Sequence, residues 1–308
     1  MAKAIVHRLD TESVGKAFIR YLVPSTIGML LMAINIVADG IMVGNRLGPV
    51  ALAGVGIAAP VYTLFVAMSL WLGIGGATRF SALMGAKREG EARIVFSHAM
   101  SAIFAVTLII GLVAFPFRTE LAYMLGANGD TFPYVSDYLY LMLLFGFVFT
   151  MENALSIMVR NDGSPNLAMV SLVTTSLLNI GLNYLFLFVL DFGVQGAAAA
   201  TLLAAFVGML VLCTHFFKKG NQLRFVRFKP NRKLLLLILV IGFPSFLAEI
   251  GMSVRMAASS SRSVAPSRII SVRLAPEAPY RQVRKRPRAS VTARANSSSW
   301  VIRTSAPG

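Results

Sequence analysis

Seven apolar runs, each long enough to cross a bilayer, recur along this chain at residues 18–42, 50–78, 94–117, 137–158, 166–190, 195–217 and 234–254. A helical span needs roughly 20 predominantly apolar residues. Hydrocarbon offers no partner to a bare peptide group, so a spanning segment is either a helix or part of a closed barrel. Unbroken runs of this length, without strict alternation, are helical. Composition agrees, with 56% of residues hydrophobic and 14% charged and a mean hydropathy of +0.70, well above a soluble domain. The fold expected is an all-α polytopic membrane protein. The polar leader 1–17 precedes no short apolar core with a small-residue cleavage site, which argues against a removable signal peptide.

The loop charges orient the spans. Lys3, Arg8, Lys16 and Arg20 precede the first span, and Lys87, Arg88 and Arg93 follow the second. Arg160 follows the fourth, and Lys218, Lys219, Arg224, Arg227, Lys229, Arg232 and Lys233 lie between the sixth and seventh. The alternate loops hold Arg46 and Arg118 as their basic residues, and with Arg79 at the inner end of the second span the split is 16 to 2. Lysine and arginine concentrate on the cytoplasmic side of membrane proteins, so the amino terminus is expected in the cytoplasm. The loop 218–233 reads as a topology determinant, with contact to anionic lipid headgroups as the alternative.

The net charge of +16 divides unevenly, because residues 1–254 carry +6 and residues 255–308 carry +10. A nucleic-acid partner is therefore not indicated for the apolar part. Cys213, the single cysteine, lies inside a span, which leaves no disulfide framework or CxxC zinc site and suits packing. His7, His98 and His215 have no metal-ligand spacing, so no metal is expected. Residues 54–59, GVGIAA, formally match a dinucleotide fingerprint, but they lie in an apolar run with Arg79 where an acid belongs. Close helix packing explains these glycines better, as it does Gly40, Gly44 and Gly48, which form overlapping GxxxG units. No nucleophile elbow or zinc-protease helix is present, and no enzyme is expected.

Polar residues at membrane depth carry the functional signal: Asp39, Glu152, Asn153, Asn179, Asn183, Gln195, Thr201 and Glu249. Ionisable residues within spans face a bundle interior or a watery cavity and mark ion pathways. Asn179 and Asn183 are four apart and share a helix face. With Thr201 they offer neutral donors and acceptors able to hold a carboxylate in either protonation state. Interhelical hydrogen bonding, with Asp39 hydrated near the outer face, is the alternative account.

The segment ADGIMVGNRLGPVALAGVGIAAPVYTL resembles the first-to-second helix region of the multidrug and toxic compound extrusion (MATE) family. GIGGATRFSALMGAKREGEA, VRNDGSPNLAM, LLNIGLNYLFLF and GVQGAAAATLLAAFVG resemble its later signatures, over about residues 15–252, nearest a MepA-like bacterial branch. The resemblance implies export of drug-like, often cationic compounds in exchange for protons or sodium, from a bacterial plasma (inner) membrane with lipid as its surroundings. It implies two six-helix lobes and no cofactor beyond the coupling ion. By position, Asp39, Asn179, Asn183 and Thr201 match the cation-coupling site of the amino-terminal lobe. Some relatives carry a carboxylate at Asn183, so here Asp39 would be the lobe's main titrating group. Glu249 is a candidate second-lobe cation or substrate residue, although its offset from the proline differs from that of relatives. Desolvation favours the neutral form of a carboxylate, so one in a cavity can exchange a proton for a cation, and that exchange couples two gradients. Pro24 removes a backbone hydrogen bond fifteen residues before Asp39 and is a candidate hinge; tolerance of proline near a helix start is the alternative.

LVPSTIGMLLM (22–32) aligns without gaps to GFPSFLAEIGM (242–252), as expected where a second lobe begins. The organisation read from the sequence is a leader 1–17, a six-helix lobe 18–217, a basic cytoplasmic linker 218–233, and the first helix of a second lobe at 234–254. Hydrophobicity then collapses at Arg255, and 35 of the last 54 residues are Arg, Ser, Ala or Pro. The expectation for 255–308 is a disordered, out-of-frame tail, which would leave the chain truncated and inactive alone. A genuine basic tail, with RQVRKRPR (281–288) on anionic lipid or nucleic acid, is the competing reading. Two other functions compete with drug export. One is a lipid-linked oligosaccharide flippase of the same superfamily, which would favour a strongly cationic cavity. The other is a non-transporting membrane fragment.

Overall fold

The computed structural model of the chain describes residues 14–218 and 220–264. Seven α-helices make up the described architecture: α1 Val14–Gly85, α2 Glu89–Ala114, α3 Arg118–Met124, α4 Phe132–Asn161, α5 Pro165–Tyr184, α6 Gly193–Cys213 and α7 Arg232–Val264. No strand occurs among the described residues. Six of these helices are long and apolar enough to cross a membrane.

Helix α1 holds two of the expected spans. The 60 residues of its apolar part, drawn as one rod at ~1.5 Å per residue, would reach about 90 Å, three times the ~30 Å hydrocarbon core. The chain breaks instead at Gly48, with φ 86° and ψ 177°, a combination that is essentially restricted to glycine. Pro49 follows. Its ring bars helical backbone from the residue before it, and its missing N–H costs nothing at the first position of the next helical arm. Arms 14–47 and 49–85 are thus the spans expected at 18–42 and 50–78. Pro24 lies within uninterrupted helix.

Helix α4 is the hub, packing against α1, α2, α5 and α6. Small residues permit the tightest approaches. A Cβ on Gly111 would strike the backbone oxygen of Leu143, joining α2 to α4, and one on Gly75 would strike that of Ile238, joining α1 to α7. The indole of Trp71 donates to Leu239 O at 2.8 Å across the same α1–α7 contact. The packing expected of the GxxxG glycines needs correcting. Gly54 does meet α4, where a Cβ would come within 2.8 Å of Tyr134 Cβ, and Gly44 faces Leu52. Gly48 forms the corner, while Gly40 and Gly56 meet nothing within 4 Å and line a cavity.

One apolar block, including Phe80, Phe96, Met100, Leu155 and Leu212, fills the end of the bundle nearest the basic loops. A second, with Val61, Phe65, Val135 and Leu139, fills the other. Cys213 packs against the first block. Helix α5 widens into a π-helical turn at Leu185–Val189, directly after Asn183. Such turns are frequent at functional sites.

The basic linker is a strap held to the bundle. The Asp162 carboxylate accepts from His215 Nε2 at 2.8 Å, Gln222 N at 3.0 Å and Leu223 N at 3.4 Å. Asp162 belongs to the turn RNDGSP, in which Gly163 takes φ 77° and Pro165 opens α5. Further along, Val226 N donates to Ser97 Oγ at 2.9 Å and Asn231 N to His98 Nε2 at 3.0 Å. His98 Nδ1 faces Ile94 O at 3.2 Å, so the neutral ring donates at one nitrogen and accepts at the other. Asn231 then caps α7 through Lys233 N and Leu234 N. Topology rules and lipid contact alone do not describe this segment, because Leu223 is fully buried in the apolar block.

Helix α7 runs to Val264, ten residues past the boundary at 254 expected from the sequence. Extending an existing helix needs no new nucleus, and Met256, Ala257 and Ala258 are adequate helix formers. Positions 265–308, where most of the expected disordered tail falls, lie outside the described residues, as does the leader before Val14.

Replacing Asp162 by Ala strands a buried imidazole and two backbone N–H groups. Each unsatisfied group costs about 1–3 kcal/mol. Asp162→Ala is therefore expected to lower the thermal unfolding midpoint and to speed tryptic cleavage at Arg224 and Arg227. Unchanged cleavage kinetics would show that the strap is held by other contacts.

Candidate functional site

A cavity of about 320 Å³ opens between both arms of α1 and helices α4, α5 and α6. Ligand pockets begin at roughly this size. Asn35, Asp39, Tyr62, Tyr138, Glu152, Asn153, Thr175, Ser176, Asn179, Asn183 and Thr201 supply its polar lining, and glycines and apolar side chains supply the rest. Among the described residues, no lysine, arginine or histidine lines it.

Four residues predicted from the sequence meet here. Asp39 Oδ1 accepts from Asn183 Nδ2 at 2.6 Å, joining α1 to α5. Asn183 Nδ2 also reaches Asn179 Oδ1 at 3.1 Å, as the four-residue spacing requires. Asn179 Nδ2 in turn donates to Thr201 Oγ1 at 3.1 Å, joining α5 to α6. Thr201 passes its own proton to Ala197 O at 3.1 Å. Asn179 and Asn183 are buried, while Asp39 and Thr201 are half-buried.

With the Asn179 amide oriented to satisfy both its ends, its nitrogen lies 2.7 Å from Asp39 Oδ1 and its oxygen accepts from Thr201 Oγ1 at 3.1 Å, so the link from α5 to α6 holds in either orientation. Asn183 Oδ1 is buried with no hydrogen-bond partner among the described residues. The cluster thus combines a carboxylate, a free amide oxygen and a hydroxyl, all hard oxygen ligands suited to a proton or a small hard cation.

Sequence reasoning overlooked Asn35, which donates to Asp39 Oδ2 at 3.4 Å. Its place four residues before Asp39 on one helix was the available signal. Glu152 was noted as polar yet left without a role. It lines the same cavity, 3% exposed. Tyr62 and Tyr138 carried no periodic signal that set them apart from core aromatics. Two expected residues lie elsewhere. Gln195 pairs with Asp137 at 2.9 Å on an exposed surface, and Glu249 sits half-buried on α7, outside the cavity lining. Position explains Glu249: α7 docks on the α1 arm 49–85 through Trp71 and Gly75, away from α5 and α6. No cluster of metal-binding side chains occurs among the described residues.

Comparison with known proteins places this geometry in context. The family model MatE matches residues 24–185. Multidrug export protein MepA of Staphylococcus aureus is 29% identical over 247 residues, covering 80% of this chain and 55% of that protein. Among solved structures, an outward-facing multidrug resistance MATE family transporter of the MOP superfamily superposes with a TM-score of 0.75 at 32% identity, over 80% of this chain and 55% of that one. A MOP superfamily transporter from Pyrococcus furiosus gives a TM-score of 0.73 at 32% identity, over the same shares. The chain spans about half the length of the relatives it matches. With the family model covering just over half of its residues and the helical lobe shared with these transporters, the chain belongs to the MatE family.

Proposed function

We propose that this lobe binds the coupling ion of a multidrug antiporter at Asp39, and that the transporter it forms part of exports organic, often cationic compounds against protons or sodium by alternating access. One observation carries the reading. Asp39 sits in a cavity whose lining holds no basic side chain among the described residues, held by neutral amides from a second helix that also reach a third. The Asn179 amide, with its nitrogen 2.7 Å from Asp39 Oδ1, donates to a bare carboxylate. A neutral surround leaves proton or cation exchange free of a fixed counter-ion. Differential affinity of the two lobe conformations for that ion then drives the cycle.

The multidrug export function of the MepA relatives supports the substrate class. The flippase reading asks for a cationic cavity, and the lining here presents Asp39 and Glu152 without a lysine or arginine among the described residues. The MepA relatives support a bacterial plasma (inner) membrane, and the loop charges support an amino terminus in the cytoplasm. Pro24 remains a proposed hinge for the first arm of α1, acting through its absent backbone donor.

In a version of the chain extended by a second six-helix MATE lobe, Asp39→Asn is expected to abolish pH- or sodium-driven ethidium efflux while membrane insertion persists. Undiminished efflux at matched expression overturns the assignment. Orientation is tested separately. After Cys213→Ser, a cysteine at Asp130 should react with a membrane-impermeant maleimide from outside, and one at Arg227 only after permeabilisation. The reverse pattern would invert the topology.

A further inference from the structure

Glu152 has surroundings unlike those of Asp39. It lies near the middle of α4, facing the cavity, with 3% of its surface exposed. Its Oε1 is reached by Thr175 Oγ1 at 3.2 Å and by Ser171 Oγ at 3.5 Å. The Ser171 hydroxyl is better placed toward Gly208 O, at 2.8 Å. A single hydroxyl proton therefore remains for the carboxylate. Among the described residues Oε2 accepts no hydrogen bond, and no basic side chain pairs with Glu152. Behind it, α6 comes so close that a Cβ on Gly208 would lie 2.9 Å from Oε1. That side is closed, and the open side of Glu152 is the cavity.

A carboxylate buried in a span with one weak donor is costly unless a proton or a cation neutralises it. The neighbours decide which cation. A small inorganic ion needs a shell of several oxygen ligands, and among the described residues the hydrogen-bond contacts of Glu152 are those two hydroxyls. What the cavity offers beside it is aromatic: the rings of Tyr62 and Phe149 lie 4.9 Å apart, and both line the same space. Aromatic faces attract large, weakly hydrated cations through their quadrupole, most strongly where water is excluded.

We propose that Glu152, with Tyr62 and Phe149, forms a seat for the charged head of an organic cation, a quaternary ammonium or phosphonium, distinct from the coupling-ion cluster at Asp39. The lobe then divides its two acids by task. Asp39, ringed by amides, exchanges the coupling ion, and Glu152, walled by aromatic rings, supplies the counter-charge for the exported cation. This deepens the antiport reading and rests on it for the class of ligand.

The test measures equilibrium binding of radiolabelled tetraphenylphosphonium to the 308-residue chain in lipid nanodiscs, which requires no transport. Glu152→Gln, nearly isosteric, is expected to weaken binding at least tenfold, while binding of neutral triphenylphosphine oxide changes less than threefold. Tyr62→Leu is expected to weaken the cation similarly, and Tyr62→Phe, which keeps the ring, to change it less than threefold. This pair carries the test should Glu152→Gln lower the unfolding midpoint. Asp39→Asn should weaken tetraphenylphosphonium binding clearly less than Glu152→Gln does, and should remove its dependence on sodium. Wild-type affinity in Glu152→Gln, equal weakening of the neutral ligand, equal affinity in the two Tyr62 variants, or no saturable binding by the unaltered chain would overturn the proposal. Loss of cation binding in Asp39→Asn comparable to that in Glu152→Gln would also overturn it, by collapsing the two sites into one. Failure of the antiport reading would show instead as efflux that survives Asp39→Asn, whatever the binding arms report.

Discussion

Inside hydrocarbon a polar group without a partner is among the most expensive things a chain can carry, and that cost shapes this protein at two levels. On the backbone it forces continuous helix and confines breaks to a few specialised places: Gly48 before Pro49, the Gly163 turn before Pro165, and the π-helical turn after Asn183. On the side chains it forces convergence. Asp39 and Asn183 are 144 residues apart in sequence yet 2.6 Å apart in space. If α1 and α5 did not meet, Asp39 would keep only the long contact from Asn35, and Asn183 only its neighbour Asn179, among the described residues. The hydrogen-bonded line from Asp39 through Asn183 and Asn179 to Thr201 thus fastens three helices where their apolar faces alone would leave the register loose.

Close approach of helices is the second requirement, and small residues meet it. Gly111 against α4, Gly75 against α7 and Gly208 against α5 bring backbones near enough for polar side chains to reach across. Gly208 does more than save space. It lets α6 press against Thr175 and Glu152 from behind, so that Glu152 opens only into the cavity. In the same way, Gly40 and Gly56 keep the cavity wall free of side chains beside Asp39. Small residues here make contact on one face and leave space on another, and the composition of a GxxxG unit does not say which.

The basic segment after α6 shows how one stretch serves two physical roles. Its lysines and arginines stay in water or at the headgroups, as the charge asymmetry of the loops demands. Its uncharged members do the fastening. Leu223 enters the core, the backbone of 222 and 223 satisfies the buried Asp162, and His98 receives Asn231 N just before α7 begins. The turn motif around Asp162 is therefore an anchor for a distant segment as well as a helix boundary.

The helical class of the chain, the positions of its spans and several of the polar residues that line its cavity were legible in the sequence, because hydrophobic run length and buried polarity are local properties with large energetic consequences. Gly48 reads as a packing glycine, although a glycine before a proline at the junction of two spans was the available sign of the corner it forms. The pairing of Asn179 with Asn183 followed from helical spacing alone. The partners of these residues were a different matter. That Asn35 joins Asp39, that Glu152 opens into the same space beside Tyr62 and Phe149, that Glu249 does not, and that a basic linker docks through Asp162 and His98 depend on which helix faces meet. Those faces are chosen by contacts between residues tens to well over a hundred positions apart, and a periodic pattern carries no record of what lies opposite. Local energetics determined what each segment is, and only the packing of one segment against another decided what each polar group can bind.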